Sequence, residues 1–220
     1  MLRTWLDDTP LADFLAHALG RQPMARPSSA RQAMPLFEWP TLDRILGAPR
    51  LDVLVVRQGR EWAGAPPRGL EELRPLLQRG FGVVVRRAER HDAGLAGLAR
   101  SFARDLPGRI QIQLFATPAG SQGFGWHYDA EEVFIVQTCG SKDYYFRRNT
   151  LDPEPVLGAQ PDFGRVRDET SPTMTCTLEP GDWLYLPRGW WHVAKARCDS
   201  LSISLGVVPS RPAGPPRRRD

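Results

Sequence analysis

The run Thr117-Pro-Ala-Gly-Ser-Gln-Gly-Phe-Gly-Trp-His-Tyr-Asp129 places a His-x-Asp pair behind glycine-rich turn chemistry. In an extended strand successive side chains leave on opposite faces. His127 and Asp129 therefore share a face, about 7 Å apart along the backbone, and form a two-toothed metal clamp. A third ligand has to come from another strand, and the chain offers four histidines: His17, His91, His127 and His192. His192 closes the segment Pro180-Gly-Asp-Trp-Leu-Tyr-Leu-Pro-Arg-Gly-Trp-Trp-His192, where Pro-Gly-Asp reads as a turn and Trp183-Leu-Tyr-Leu186 as a strand. Two histidines and one carboxylate with open positions make the facial triad of a non-haem Fe(II) oxygenase. His17 falls in a short helical pattern and reads as a surface or packing residue, and His91 as a polar cap at the start of a helix.

Working outward from this pair, the chain after Arg109 is a series of short strands with turns between them. The expected strands are 110–116, 126–129, 133–138, 143–147, 173–178, 183–186, 191–196 and 201–207. Eight strands with frequent Gly and Pro punctuation point to a mainly β, double-sheet jelly roll of the cupin kind. The segment 149–171, with three prolines, Gly158 and mixed charges, reads as an insertion between the fourth and fifth strands. Before the barrel, 11–19, 41–46 (capped by Thr41), 70–80 and 92–102 carry helical patterns, whereas 51–56 and 81–85 read as strands. The segment 21–35, holding Pro23, Pro27 and a Ser-Ser pair, reads as a loop or an extended lid. The expected organisation is one domain over 1–208, with a helical region at about 10–105 packed on a barrel core at about 109–208. A disordered basic tail is expected at 209–220.

Composition narrows the function classes. The chain has 220 residues, with 41% hydrophobic and 25% charged, which is ordinary for a folded globular protein. Its net charge of +4 comes from an arginine-rich sequence with only two lysines, Lys142 and Lys195. No basic helix or stripe accompanies that charge, so a nucleic-acid partner is not expected. Cys139, Cys176 and Cys198 are odd in number and lack C-x-x-C spacing, which argues against a disulfide scaffold or structural zinc. Residues 1–20 carry Asp7, Asp8 and Asp13 with no continuous apolar core, so no signal peptide is read there. No apolar run approaches the roughly 20 residues of a membrane span. The expectation is a cytoplasmic protein with no membrane partner, and homodimerisation is left open.

Taken together, Thr117–Asp129 with the Glu-Val-Phe-Ile-Val-Gln and Gly-Ser-Lys runs that follow, and the Pro180–His192 segment, resemble the JmjC-type cupins of the ribosomal oxygenase group. They are also similar to the asparaginyl hydroxylase that modifies hypoxia-inducible factor. The resemblance runs from about Leu11 to Val208. It does not extend to the helical dimerisation and winged-helix regions that ribosomal oxygenases carry after the barrel.

The resemblance implies Fe(II) held by His127, Asp129 and His192, with O2 and 2-oxoglutarate as cosubstrates. It also implies that Lys142, fifteen residues past His127, meets the far carboxylate. A lysine kept in a predicted strand of an arginine-rich chain independently suggests a site that wants a compact point charge. The chain departs from the family at Gln113 and Phe115, which stand where ribosomal oxygenases have Asn and Tyr. Phe115 cannot donate the hydroxyl. Thr117, Thr138, Ser202 or Ser204 supplies that bond, or cosubstrate affinity is lower. Trp126, Trp190 and Trp191, next to the ligands, are candidate substrate walls. The implied reaction hydroxylates an amino-acid side chain in a protein, a peptide or an amino-acid-derived small molecule, releasing succinate and CO2. N-demethylation by the same class of oxygenase and a non-catalytic metal-binding cupin are the alternatives.

Overall fold

A computed structural model describes residues 1–156 and 162–209. Before the barrel come α1 (Leu2–Trp5), α2 (Leu11–His17), β1 (Met24–Arg26), α3 (Trp39–Leu46), β2 (Asp52–Arg57), β3 (Arg60–Glu61), α4 (Leu70–Gln78), β4 (Gly82–Arg86) and α5 (Ala93–Ala103). The barrel follows with β5 (Arg109–Thr117), β6 (Glu132–Cys139), β7 (Lys142–Arg147), β8 (Met174–Leu178), β9 (Trp183–Leu186), β10 (Trp191–Ala196) and β11 (Ser200–Val208). An eight-stranded sheet has the order β1-β9-β6-β11-β5-β4-β2-β3, and a three-stranded sheet the order β10-β7-β8. A single antiparallel bridge from His127 to His192 adds a fourth row to the smaller sheet. The chain therefore alternates between sheets in the manner of a double-stranded β-helix, with N-terminal helices covering its outer face.

Period-two patterning explains why the larger sheet can be covered on both sides. In β6, Phe134 and Val136 point to the helices, whereas Val133 and Ile135 point to the space between the sheets. The helix side is an aromatic layer. Trp5 lies 5.0 Å from Phe102 and 6.0 Å from Trp183, and Phe14 lies 5.2 Å from Tyr185, between ring centroids. Trp183 is fully buried and satisfies its indole N–H by donating to the Trp5 carbonyl at 2.9 Å and the Ser29 hydroxyl at 2.8 Å. One polar handle thus locks α1 and the chain after β1 onto the barrel.

Three expectations need correction. The stretch 126–129 is not a strand; it touches the smaller sheet only through the bridge at His127. The segment 21–35 is not a lid, because β1 pairs with β9 and Arg31–Leu36 forms a 3-10 turn. Helix α3 begins before Thr41, with Glu38 at its cap and Pro40 in its first turn, where a missing N–H costs nothing. Strands β2 and β4, expected at 51–56 and 81–85, extend the larger sheet beyond β5, with β3 at its edge. The 149–171 insertion is described in part. Glu169 there accepts from Thr150 N at 2.7 Å and Ser171 N at 3.1 Å, pinning its two ends together. The expected basic tail falls on residues that lie outside the described ones, apart from Pro209. No helix among the described residues is long and apolar enough to cross a membrane.

Because Trp183 combines full burial with two hydrogen bonds, Trp183→Ala is expected to cost about 3–5 kcal/mol of unfolding free energy. Urea denaturation measures this; a loss below about 1 kcal/mol would place the stabilising core elsewhere.

Candidate active site

The two histidines are brought together by main-chain pairing. His127 N donates to the His192 carbonyl at 3.1 Å, and His192 N donates to the His127 carbonyl at 2.8 Å. The imidazole centroids are 4.2 Å apart. Asp129 is fixed two residues on, where its carbonyl accepts from Gly189 N at 2.7 Å. Its carboxylate Oδ2 lies 3.5 Å from His192 Nε2. One ligand atom from each of His127, Asp129 and His192 lies within 4.8 Å of the others.

The ring orientations suit metal binding. Nδ1 of His127 faces the Gly125 carbonyl at 2.9 Å, and Nδ1 of His192 faces the Trp190 carbonyl at 3.0 Å. A carbonyl only accepts, so each Nδ1 carries the proton and each Nε2 keeps its lone pair for a metal. Burial, with His127 alongside, holds His192 well below its ordinary value and so neutral at pH 7. Neutral imidazole nitrogen plus carboxylate is a donor set that suits a divalent first-row metal and leaves positions open.

The triad sits at the mouth of a cavity of about 370 Å³ between the two sheets, whose walls include Gln113, Phe115, Lys142, Tyr144, Ser202 and Ser204. Lys142 opens β7 after a tight turn at Gly140. Gly140 has φ 63°, and a Cβ there would lie 2.4 Å from the Asp199 carbonyl oxygen, which excludes any other residue. The lysine is only 3% exposed. Its Nζ donates to Ser202 Oγ at 3.0 Å and lies 5.7 Å from the Phe115 ring centroid. Among the described residues no carboxylate pairs with it. Burial pushes it down to about 7. A buried ammonium with no counter-ion costs several kcal/mol, and an anionic group brought into the cavity removes that cost. The residues present thus fit both a metal and an acidic cosubstrate.

A JmjC domain profile matches residues 97–213, more than half of the chain. The chain belongs to the JmjC family. Among curated proteins it is similar to the bifunctional lysine-specific demethylase and histidyl-hydroxylase NO66 of Dictyostelium discoideum, 39% identical over 99 residues, covering 44% of this chain and 19% of that protein. It is likewise similar to human ribosomal oxygenase 1, 39% identical over 93 residues, covering 42% of this chain and 14% of that one. The matched region is thus less than a fifth of these relatives' length. Among solved structures, the Escherichia coli ribosomal oxygenase YcfD in complex with cobalt and 2-oxoglutarate superposes with a TM-score of 0.67 at 21% identity, over 94% of this chain and 53% of that one. That likeness establishes the fold.

Within this JmjC domain, His127, Asp129, His192, Lys142, Gln113, Ser202, Ser204, Thr117 and Trp126 all border the cavity. Three expected residues do not. Thr138 lies on the helix-facing side of β6, and its hydroxyl donates to the Leu201 carbonyl at 3.1 Å, so it is corrected to a structural role. Trp191 points away from His192 because neighbours on a strand alternate, and it packs edge-on against Tyr128 at 4.7 Å. Trp190 packs against the apolar cluster deeper between the sheets and positions His192 through its carbonyl. Trp126 does form a wall, with the Arg147 guanidinium 5.4 Å from its ring centroid.

Sequence reasoning missed Tyr144, Phe124 and Phe163. Phe124 and Phe163 lie 5.6 and 6.2 Å from the His127 ring and make the rim apolar. Tyr144 was accessible from the sequence, since it stands two residues after Lys142 on a strand and so shares its face.

The isolated lysine gives a pH signature. Below about pH 7 the folded protein carries a buried charge. Between about 7 and the ordinary 10.5 the unfolded lysine binds a proton that the folded one does not. Stability of the ligand-free protein therefore rises with pH across that window. Urea midpoints of wild type should climb between pH 7 and 9.5 relative to Lys142→Met, which lacks the titrating group. Parallel pH profiles would show that Lys142 is solvated or paired.

Proposed function

We propose that this chain is an Fe(II)- and 2-oxoglutarate-dependent oxygenase that hydroxylates an amino-acid side chain, in a protein, a peptide or an amino-acid-derived small molecule. The observation that carries this reading is the meeting, in one cavity, of a two-histidine-one-carboxylate triad with a buried lysine that pairs with no carboxylate among the described residues. When bound, the iron and cosubstrate supply O2 activation, with 2-oxoglutarate and O2 converted to succinate, CO2 and one oxygen atom inserted into a substrate C–H bond.

The chain's own residues bind, orient and exclude water. His127, Asp129 and His192 would hold the metal from one side, leaving its remaining positions for cosubstrate and O2. Lys142, steadied by its bond to Ser202, would meet the far carboxylate. Phe115, Val133 and Ile135 provide apolar cavity walls that keep water from the reacting centre. The Asp129 side chain is 42% exposed, so the triad opens toward solvent on the side where a substrate can enter. Phe124, Phe163 and Trp126 frame that entrance.

A macromolecular substrate is favoured by relatives whose names describe a histidyl-hydroxylase, a lysine-specific demethylase and ribosomal oxygenases. N-demethylation would use the same cavity, because hydroxylation of an N-methyl carbon yields a product that collapses to the amine and formaldehyde.

The test is succinate formation from 2-oxoglutarate with Fe(II) under air, in the presence of a peptide library rich in histidine, arginine and lysine. Wild type should turn over. His127→Ala and Asp129→Ala should lose more than the about 10–100-fold typical of removing an outer-shell partner. Full activity in either variant, or none in wild type with any substrate, contradicts the assignment.

A further inference from the structure

Among the polar groups of the cavity wall, one shares a strand face with Lys142. Tyr144 projects from β7 on the same face as Lys142, is buried, and lines the cavity. The Ser202 hydroxyl accepts from Lys142 Nζ at 3.0 Å, and Tyr144 lines the same cavity with them. Hydrogen-bond accounting then fixes the direction of the chain of donors. Lys142 can only donate, so it fills an acceptor position on Ser202 Oγ, and the Ser202 proton is free to point to the Tyr144 oxygen. Burial raises Tyr144, which keeps its phenol protonated at neutral pH. Its own O–H is then the last donor of the series. Among the described residues it makes no hydrogen bond to a carboxylate or carbonyl, and it faces the cavity, so the O–H is available to a ligand there.

Resting on the oxygenase reading, we propose that Tyr144 is a binding residue for the far carboxylate of 2-oxoglutarate, donating its O–H beside the Lys142 ammonium while Ser202 bridges the two. The register accounts for its placement. Ser202 pairs across the larger sheet with Phe115, whose ring faces Lys142 and brings no hydroxyl. The donor absent from β5 is supplied instead from β7, across the cavity. A carboxylate oxygen is the acceptor that this relay lacks, and the Lys142 ammonium supplies the opposite charge. The receptor therefore selects 2-oxo acids that carry a second carboxylate over those that do not.

Calorimetric titration of the Co(II)-loaded full chain, which binds without turnover, tests this with two ligands: 2-oxoglutarate and 2-oxobutyrate, a 2-oxo acid lacking the far carboxylate. Tyr144→Phe should weaken 2-oxoglutarate by about 10- to 100-fold, the value of a hydrogen bond to a charged group. It should leave 2-oxobutyrate and Co(II) affinities unchanged. The double variant Phe115→Tyr/Tyr144→Phe, which returns a hydroxyl from β5, should recover most of the loss. If Tyr144→Phe does not fold by thermal melting, Ser202→Ala cuts the relay one link earlier and should show the same selective loss. Unchanged 2-oxoglutarate affinity in Tyr144→Phe, or equal weakening of both ligands, overturns the role of Tyr144. No binding of 2-oxoglutarate to wild type, or full binding to Lys142→Met, would instead overturn the oxygenase reading beneath it.

Discussion

Two main-chain hydrogen bonds between His127 and His192 decide where the chemistry of this protein can take place. They join a glycine-rich connection, which is otherwise irregular, to a regular strand of the smaller sheet. Both imidazoles are thereby anchored at the backbone before any metal arrives. The carbonyls of Gly125 and Trp190 then set the tautomer of each ring, and the Gly189 amide holds the Asp129 main chain. Removing a ligand side chain leaves this backbone bridge in place, so the fold and the metal site are separable. The scaffold behind the bridge has its own source of stability in the aromatic layer around Trp183, on the far side of the larger sheet.

The second constraint is electrostatic. A jelly roll of this size has an interior that is mostly aliphatic and aromatic, and Lys142 is placed inside it without a partner anion. Such a group works against stability in the empty protein and favours any ligand that brings a carboxylate. The same burial that lowers the lysine gives it selectivity, because in a medium of low dielectric a matched charge is worth far more than it would be at the surface. Ser202 holds its ammonium, Tyr144 adds a donor beside it, and Phe115 removes water. The His127–Asp129–His192 cluster and the buried cation thus line one cavity, with the exposed side at Asp129 left for the molecule to be oxidised.

Much of this was legible in the sequence, and the parts that were not have physical reasons. The barrel strands were recognisable because period-two alternation and Gly or Pro turns bound each of them, as in Trp183–Leu186 and Trp191–Ala196. The candidate triad was legible because the His-x-Asp pair follows glycine-rich turn chemistry and the third His closes a strand flanked by turn residues. The shape of the His127 segment was not, because only one residue pairs and the rest is held by tertiary contacts. The pairing of Met24–Arg26 with β9 was hidden among prolines and serines that read as loop. Trp191 was misplaced by proximity to His192, although alternation sends it to the opposite face. Thr138 was chosen for its hydroxyl without regard to its face. Tyr144 shares the Lys142 face by alternation, whereas the missing hydroxyl at Phe115 points first to threonine and serine positions.

The most direct test of the account asks whether metal and cosubstrate meet in the cavity. Chelation of Fe(II) by a 2-oxo acid gives a visible charge-transfer absorption, which can be recorded without oxygen and without knowing the substrate. Wild type with Fe(II) and 2-oxoglutarate should develop this band with one equivalent of each, and Asp129→Ala should not. If both ligands bind to wild type by titration and no band forms, they occupy separate sites and the account is wrong at its centre.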